Sequence, residues 1–209
     1  MAKQVKELYK DVAVCRAKDR KAWRRWLEKN HASQKSVWLL LYKKNTGIPS
    51  VYYPEAVDEA LCFGWIDSKA NTKDAESYYQ YFAKRNPNSK WSKVNKEKVV
   101  LLEQQGLMTD AGRAMIELAK EKGTWNALDD VEQIIIPDDL QKLFTKNKKA
   151  KQHWETFSRS VKRSILEWIS NAKRTETRTK RIQETVTLAA QNIRANYPED
   201  AHKIKKQHK

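Results

Sequence analysis

The stretch Val37-Trp-Leu-Leu-Leu-Tyr42 is the longest unbroken apolar run in the chain. It is far shorter than the ~20 residues a membrane-spanning helix requires. With Ser36 and Lys43 at its ends, it reads as a strand buried on both faces and as the centre of a sheet. Around it, short apolar runs alternate with helical periodicity, the mark of strands and helices sharing one layered body.

Val12 to Cys15 is a second strand. Asp19 caps a helix whose Ala22, Trp23, Trp26 and Leu27 form an apolar face, opposite Arg20, Lys21, Arg24 and Arg25. Asn45 to Pro49 is turn chemistry. Pro54 fits the first turn of a helix carrying Val57, Ala60 and Leu61, which Gly64 ends. Ile66 to Ser68 and Ser77 to Lys84 read as strands joined by the polar turn Asn71 to Glu76. In the second of these, Tyr79 and Tyr81 share one face while Tyr78, Gln80 and Phe82 share the other. Asn86 to Ser89 breaks the pattern, and from there the chain reads as helical. Ser92 and Thr109 are N-caps for helices ending before Gly106 and Gly123. Trp125 to Pro137 is read as an irregular connection. Short helices then follow: one opened by Asp138 with Leu140, Leu143 and Phe144, one capped by Asn147 with Ala150, Trp154 and Phe157, one bearing Val161, Ile165, Trp168 and Ile169, and one bearing Ile182, Val186, Ala189 and Ile193.

The expected fold class is α+β. A small mixed N-terminal sheet with packed helices occupies residues 1–125, an all-helical basic region 126–197, and a flexible polar tail 198–209. Eight Trp and eight Tyr in 209 residues supply enough buried area for a real core despite a 40% hydrophobic content. The formal net charge is +16. Residues 1–140 hold 24 Lys+Arg and 20 Asp+Glu, whereas residues 141–209 hold 18 and 6. Such asymmetry points to a contact with something anionic, or to a solvated helical surface.

Several chemistries lack their residues. The four histidines and two cysteines show no metal-ligand spacing, and no Gly-rich phosphate loop occurs, so neither metal nor cofactor is expected. The N-terminus has charges scattered through it and no apolar h-region, so a cytoplasmic location with reduced thiols is expected.

Three clusters hold the distinctive side chains. The first, Leu61-Cys-Phe-Gly-Trp-Ile-Asp-Ser68, has two readings: Cys62 as nucleophile with Asp67 as base, or Cys62 and Phe63 as core with Trp65 packed over an αL Gly64. A thiol at a helix C-terminus is held neutral, which favours the second. In the next, Lys84 to Asn95, Arg85, Lys90 and Trp91 stand beside a helix start at Ser92 and Asn95, an anion site or a hydrophobic staple. The last runs from Ser158 to Arg181, where two basic helices meet. Arg159, Lys173, Arg174, Arg178 and Arg181 are its anion-contacting candidates.

Taken with Gly106-Leu-Met-Thr-Asp-Ala-Gly112, Ile165-Leu-Glu-Trp-Ile169 and Ala172-Lys-Arg-Thr-Glu-Thr-Arg178, these clusters resemble the bacterial YdeI/OmpD-associated family of bacteriocin-protection proteins, from about Ala22 to Ile193. The resemblance implies a role in tolerance of cationic antimicrobial peptides or envelope stress, with no reaction or active site to carry over. A +16 protein repels cationic peptides, so any protection is indirect.

The leading expectation is a non-enzymatic binding protein. Its ligand-binding residues are Cys62, Trp65, Asp67, Arg85, Trp91, Ser92 and Asn95, and its basic helices meet an anionic small molecule, nucleic acid or acidic protein surface. One alternative is a small-molecule enzyme using the Cys62/Asp67 region, with Arg85 or Arg159 holding a carboxylate or phosphate. In another, the Trp and Arg clusters glue the two halves together.

Overall fold

In the computed structural model, residues 7–200 are described. The tail expected from residue 198 lies outside them beyond Asp200. Five strands, β1 (Leu8–Tyr9), β2 (Val12–Arg16), β3 (Ser36–Tyr42), β4 (Trp65–Thr72) and β5 (Ser77–Lys84), form one sheet in the order β1-β2-β3-β5-β4. The apolar run thus holds the central position. β2 and β3 are parallel and the remaining pairs antiparallel, so the sheet is mixed. Helices follow it, and the fold is α+β. Among the described residues no helix is long and apolar enough to cross a membrane.

The chain divides into two compact units between Ala127 and Leu128. In the first, α1 (Arg20–Asn30) and α2 (Tyr53–Cys62) belong to the same apolar core as one face of the sheet. Side chains alternate across a strand. Val37, Leu39, Leu41 and Phe82 therefore join Trp23, Leu27, Ala60 and Leu61 on that side, while Trp38, Leu40 and Tyr79 form a separate aromatic layer on the other. There Tyr9 stacks on Tyr79 at 4.1 Å and Tyr81 sets its edge against Trp38 at 4.8 Å. Asp19 caps α1, its carboxylate accepting from the Ala22 N–H at 2.6 Å.

Two helices, α3 (Lys93–Gln104) and α4 (Asp110–Glu121), complete this unit, capped by Ser92 and Thr109. β4 is longer than its sequence pattern, starting at Trp65 and taking in Asn71 and Thr72. Pairing with β5 and a register shift between Asp67 and Ala70 carry it through a polar stretch with no alternation.

The second unit is helical: α5 (Asp129–Glu132), α6 (Asp138–Lys146), α7 (Lys148–Thr156), α8 (Arg159–Ser170) and α9 (Thr175–Ala189). Leu140, Phe144, Trp154, Ile165, Ile169, Ile182 and Val186 form its core. The stretch read as an irregular connection contains α5, whose single turn is too short to show periodicity. Ile193 lies beyond the end of α9 and not on its face, but its N–H donates to the Leu188 carbonyl and the side chain returns to the core.

One joint fixes the first unit. α2 ends at Cys62, and its carbonyl accepts from both the backbone N–H and the hydroxyl of Thr109, at 3.2 and 2.6 Å. The electronegative end of α2 thus meets the electropositive start of α4. Closeness demands glycine on both sides. A Cβ at Gly112 would lie 2.3 Å from the Cys62 oxygen, and one at Gly64 (φ +71°) would lie 2.9 Å from the Ala111 oxygen. Gly112→Ala is expected to cost about 3 kcal/mol of unfolding free energy through overpacking against backbone. Gly106→Ala, with open space around it and only its left-handed φ to oppose, is expected to cost about 1 kcal/mol. Urea unfolding of the two variants checks the difference.

Candidate functional site

Glu59 lies on the buried face of α2 and is 2% exposed. Its carboxylate takes Arg20 Nε at 2.6 Å on one oxygen and Arg24 Nη1 at 2.7 Å on the other. Arg24 also donates to the Leu107 carbonyl at 3.0 Å and stacks over Phe63. The two arginines placed by periodicity on the solvated side of α1 therefore turn inward onto α2. No local sequence signal marks Glu59, because only the packing of α1 on α2 shows that it is enclosed.

Cys62 sits beside this ion cluster. Burial pushes its thiol up to about 11, with the Glu59 carboxylate adding to the shift and Arg24 opposing it. Burial alone pushes Cys15 up to about 12. Asp67 is elsewhere: it accepts from the Tyr53 hydroxyl at 2.8 Å and from Gln80 Nε2 at 3.3 Å. Burial and that bond to Asp67 push the Tyr53 phenol up to about 12. Trp65 is buried in the core, its indole N–H donating to the His31 carbonyl at 3.3 Å.

Arg85, Trp91, Ser92 and Asn95 are brought together. Arg85 leaves the end of β5 with its N–H on the Gly64 carbonyl at 3.0 Å, so the α2–α4 joint also sets its position. Its guanidinium carbon lies 3.8 Å from the centre of the Trp91 ring. One Nη donates to the Lys90 carbonyl at 2.7 Å, while Nε is buried with no partner. The residue is 5% exposed, and among the described residues no carboxylate pairs with it. Burial holds the guanidinium down to about 10, still charged at neutral pH. Trp91 is followed at once by Ser92, whose hydroxyl accepts from the Asn95 N–H at 3.3 Å to cap α3. A buried cation thus stands next to the residue preceding a helix N-terminus, with an aromatic face and one carbonyl for company.

The anion-contacting candidates of the second unit are largely engaged internally. Arg159 donates to the Glu132 carbonyl. Arg178 holds Asp139 through two bonds at 2.7 and 3.0 Å, keeping that carboxyl below the usual range. Arg181 donates to the Trp168 carbonyl and lies over its ring. Arg163, not singled out from sequence, bridges Glu132 and Glu167. Lys173 and Arg174 are exposed between α8 and α9. Two of the carboxylates involved, Glu132 and Asp139, lie in residues 129–139, which belong to the second unit. Residues 128–200 hold 14 Lys+Arg and 11 Asp+Glu, so the described part of the helical unit is close to balance.

Three outcomes are expected. Both thiols resist a disulfide reagent at pH 8 in the folded protein and react once it is unfolded. Because their folded values lie above the ordinary 9.0, the unfolded chain ionises first. Stability is then retained below pH 9 and falls from about 9 up to about 11 for Cys62 and about 12 for Cys15, as a pH series of urea melts will read. Glu59→Gln, which leaves two guanidinium groups without their anion, is expected to cost about 3 kcal/mol.

Residues 15–115 match a domain of unknown function, DUF8412, and residues 133–192 match the family described as Bacteriocin-protection, YdeI or OmpD-Associated. No curated protein and no solved structure matches the chain. The ordered motifs divide between the two spans: Glu59–Ser68, Trp91–Asn95 and Gly106–Gly112 in the first, the α8 and α9 motifs in the second. The helical segment 133–192 is thus similar to the bacteriocin-protection, YdeI or OmpD-associated family, while the sheet-bearing segment 15–115 matches DUF8412 instead.

Proposed function

We propose that this chain is a bacteriocin-protection, YdeI or OmpD-associated protein, and a non-enzymatic binding protein that receives an anionic group at Arg85, beside Trp91 and the Ser92-capped start of α3. The reading rests on one observation, a guanidinium that is 95% buried yet meets no anion. Removing a cation from water costs several kcal/mol unless an anion or a full set of acceptors compensates it. Here the compensation is one carbonyl and one aromatic face, and a ring face contributes only about 2 kcal/mol to a desolvated cation. A carboxylate or phosphate oxygen would supply the missing charge, and the N–H groups at the start of α3 add favourable potential. The family's link to antimicrobial-peptide or envelope-stress tolerance then operates through an anionic ligand and not through direct capture of cationic peptides.

The contrast with Glu59 makes this testable. In anion-poor buffer Arg85→Met, which keeps apolar packing on Trp91 while removing the charge, is expected to be as stable as the parent or about 1 kcal/mol more stable. Inorganic phosphate or succinate, added at constant ionic strength against chloride, should raise the melting temperature of the parent and leave the variant unmoved. At a concentration tenfold above the dissociation constant the gain is about 1.4 kcal/mol. Equal responses of parent and variant, or no response of either up to tens of millimolar, would refute the site.

A further inference from the structure

We propose that the corner between α6 and α7 is a docking surface for the phosphate backbone of a duplex nucleic acid, held without regard to sequence and independently of the Arg85 site. Residues 140–154 carry five lysines and no carboxylate, while the rest of residues 128–200 carries 9 Lys+Arg against 11 Asp+Glu. The near balance of the helical unit thus conceals one segment that holds all of its positive excess. Lys142, Lys146, Lys148 and Lys149 are exposed. Among the described residues none of these four pairs with a carboxylate, whereas Lys151 reaches Glu155 at 3.9 Å.

Lys142 and Lys146 lie four residues apart on α6 and so stand side by side, turned away from the buried Leu140 and Phe144. Asn147 alone separates the two helices, and Lys148 and Lys149 open α7 directly after it. The first turn of α7 has no acidic residue, so its lysines oppose the helix dipole as well as each other. An anion at the corner relieves both. The chemistry of the corner selects which anion. Every exposed side chain between 140 and 154 is Lys, Thr or Gln. There is no exposed ring to stack on unpaired bases, no exposed apolar side chain to enter a bilayer, and no large anchor for a protein interface. Lysines are point charges that position a backbone, and Thr145 and Gln152 add hydroxyl and amide groups of the kind that bond phosphate oxygens. A duplex carries one negative charge per about 1.7 Å of its axis, dense enough to hold such a patch by charge alone.

Each lysine that neutralises a phosphate adds about 0.9 to the slope of log affinity against log salt. The test is fluorescence anisotropy of a labelled DNA duplex of arbitrary sequence, titrated with the full chain between about 50 and about 200 mM NaCl. Replacing all four residues (Lys142→Gln, Lys146→Gln, Lys148→Gln and Lys149→Gln) should flatten the slope by about 3.6 and weaken binding at the lowest salt at least about tenfold. The melting temperature of that variant should stay at or above the parent's, because mutually repelling exposed charges are removed. A control with Lys18→Gln, Lys21→Gln, Lys29→Gln and Lys35→Gln, all exposed in the first unit, changes the net charge equally and should keep the parent's slope. Arg85→Met should bind the duplex as the parent does. No binding at the lowest salt, a four-lysine variant with the parent's slope, or an equal loss in the control or in Arg85→Met would each overturn the proposal. Tighter binding to vesicles of phosphatidylserine and phosphatidylcholine than to the duplex at the same salt would overturn it too, and would assign the corner to a membrane surface.

Discussion

Where α2 stops decides most of the first unit. The last carbonyl of that helix, on Cys62, is met by the backbone and hydroxyl of Thr109. The two helix ends approach so closely that neither Gly64 nor Gly112 has room for a side chain. From this joint the chain turns into β4, and the Gly64 carbonyl takes the Arg85 N–H at the end of β5. One contact therefore registers two helices and two strands. It also explains why the densest motifs of the sequence, Glu59–Ser68 and Gly106–Gly112, stand far apart in the chain yet act together. They are two halves of a packing device in which Cys62 supplies a carbonyl, and its thiol stays neutral.

The unit contains two buried charges handled in opposite ways. Glu59 is fully enclosed, but both of its oxygens have guanidinium partners at 2.6 and 2.7 Å from one neighbouring helix. The carboxylate's charge is balanced within the α1–α2 contact, and the one polar atom left over there is the buried Nη2 of Arg20, whose guanidinium already has its anion. Arg85 is nearly as enclosed, yet its charge rests on a tryptophan face and a single carbonyl. The first arrangement stabilises a fold, because breaking it strands charges away from water. The second leaves a cation whose balance is incomplete, and the binding role proposed for Arg85 rests on that incompleteness. Neither Trp65 nor Cys62 shares that incompleteness, since both are absorbed into the core.

The charge of +16 also changes character once the units are known. Cut at residue 140, the sequence reads as a near-neutral body and a basic third. The physical boundary lies at Ala127/Leu128, and this moves five carboxylates of residues 129–139 to the helical side. Glu132 and Asp139 then meet Arg163 and Arg178. Charges that look free along the chain are neutralised in space, because α5 and α6 pack near α8 and α9. Four of the lysines counted in the basic third lie beyond Asp200, outside the described residues.

The sequence by itself determined the α+β class, the central strand, and the starts of α1, α2, α3, α4, α6 and α7. These are local properties: an uninterrupted apolar run, a period of two or 3.6, and a capping side chain three residues from the N–H it accepts. Asp19, Ser92, Thr109 and Asn147 all cap where their spacing indicates. It also drew Arg85, Trp91, Ser92 and Asn95 into one cluster, since they lie within eleven residues of each other. Tertiary structure alone decided that Glu59 is buried and paired, that Cys62 and Asp67 have separate neighbours, that β4 continues through polar residues, and that the basic helices are balanced by an acidic segment. Each of these depends on which distant residue fills the space beside a side chain. Burial and charge balance are sums over such neighbours, and a one-dimensional pattern does not contain them.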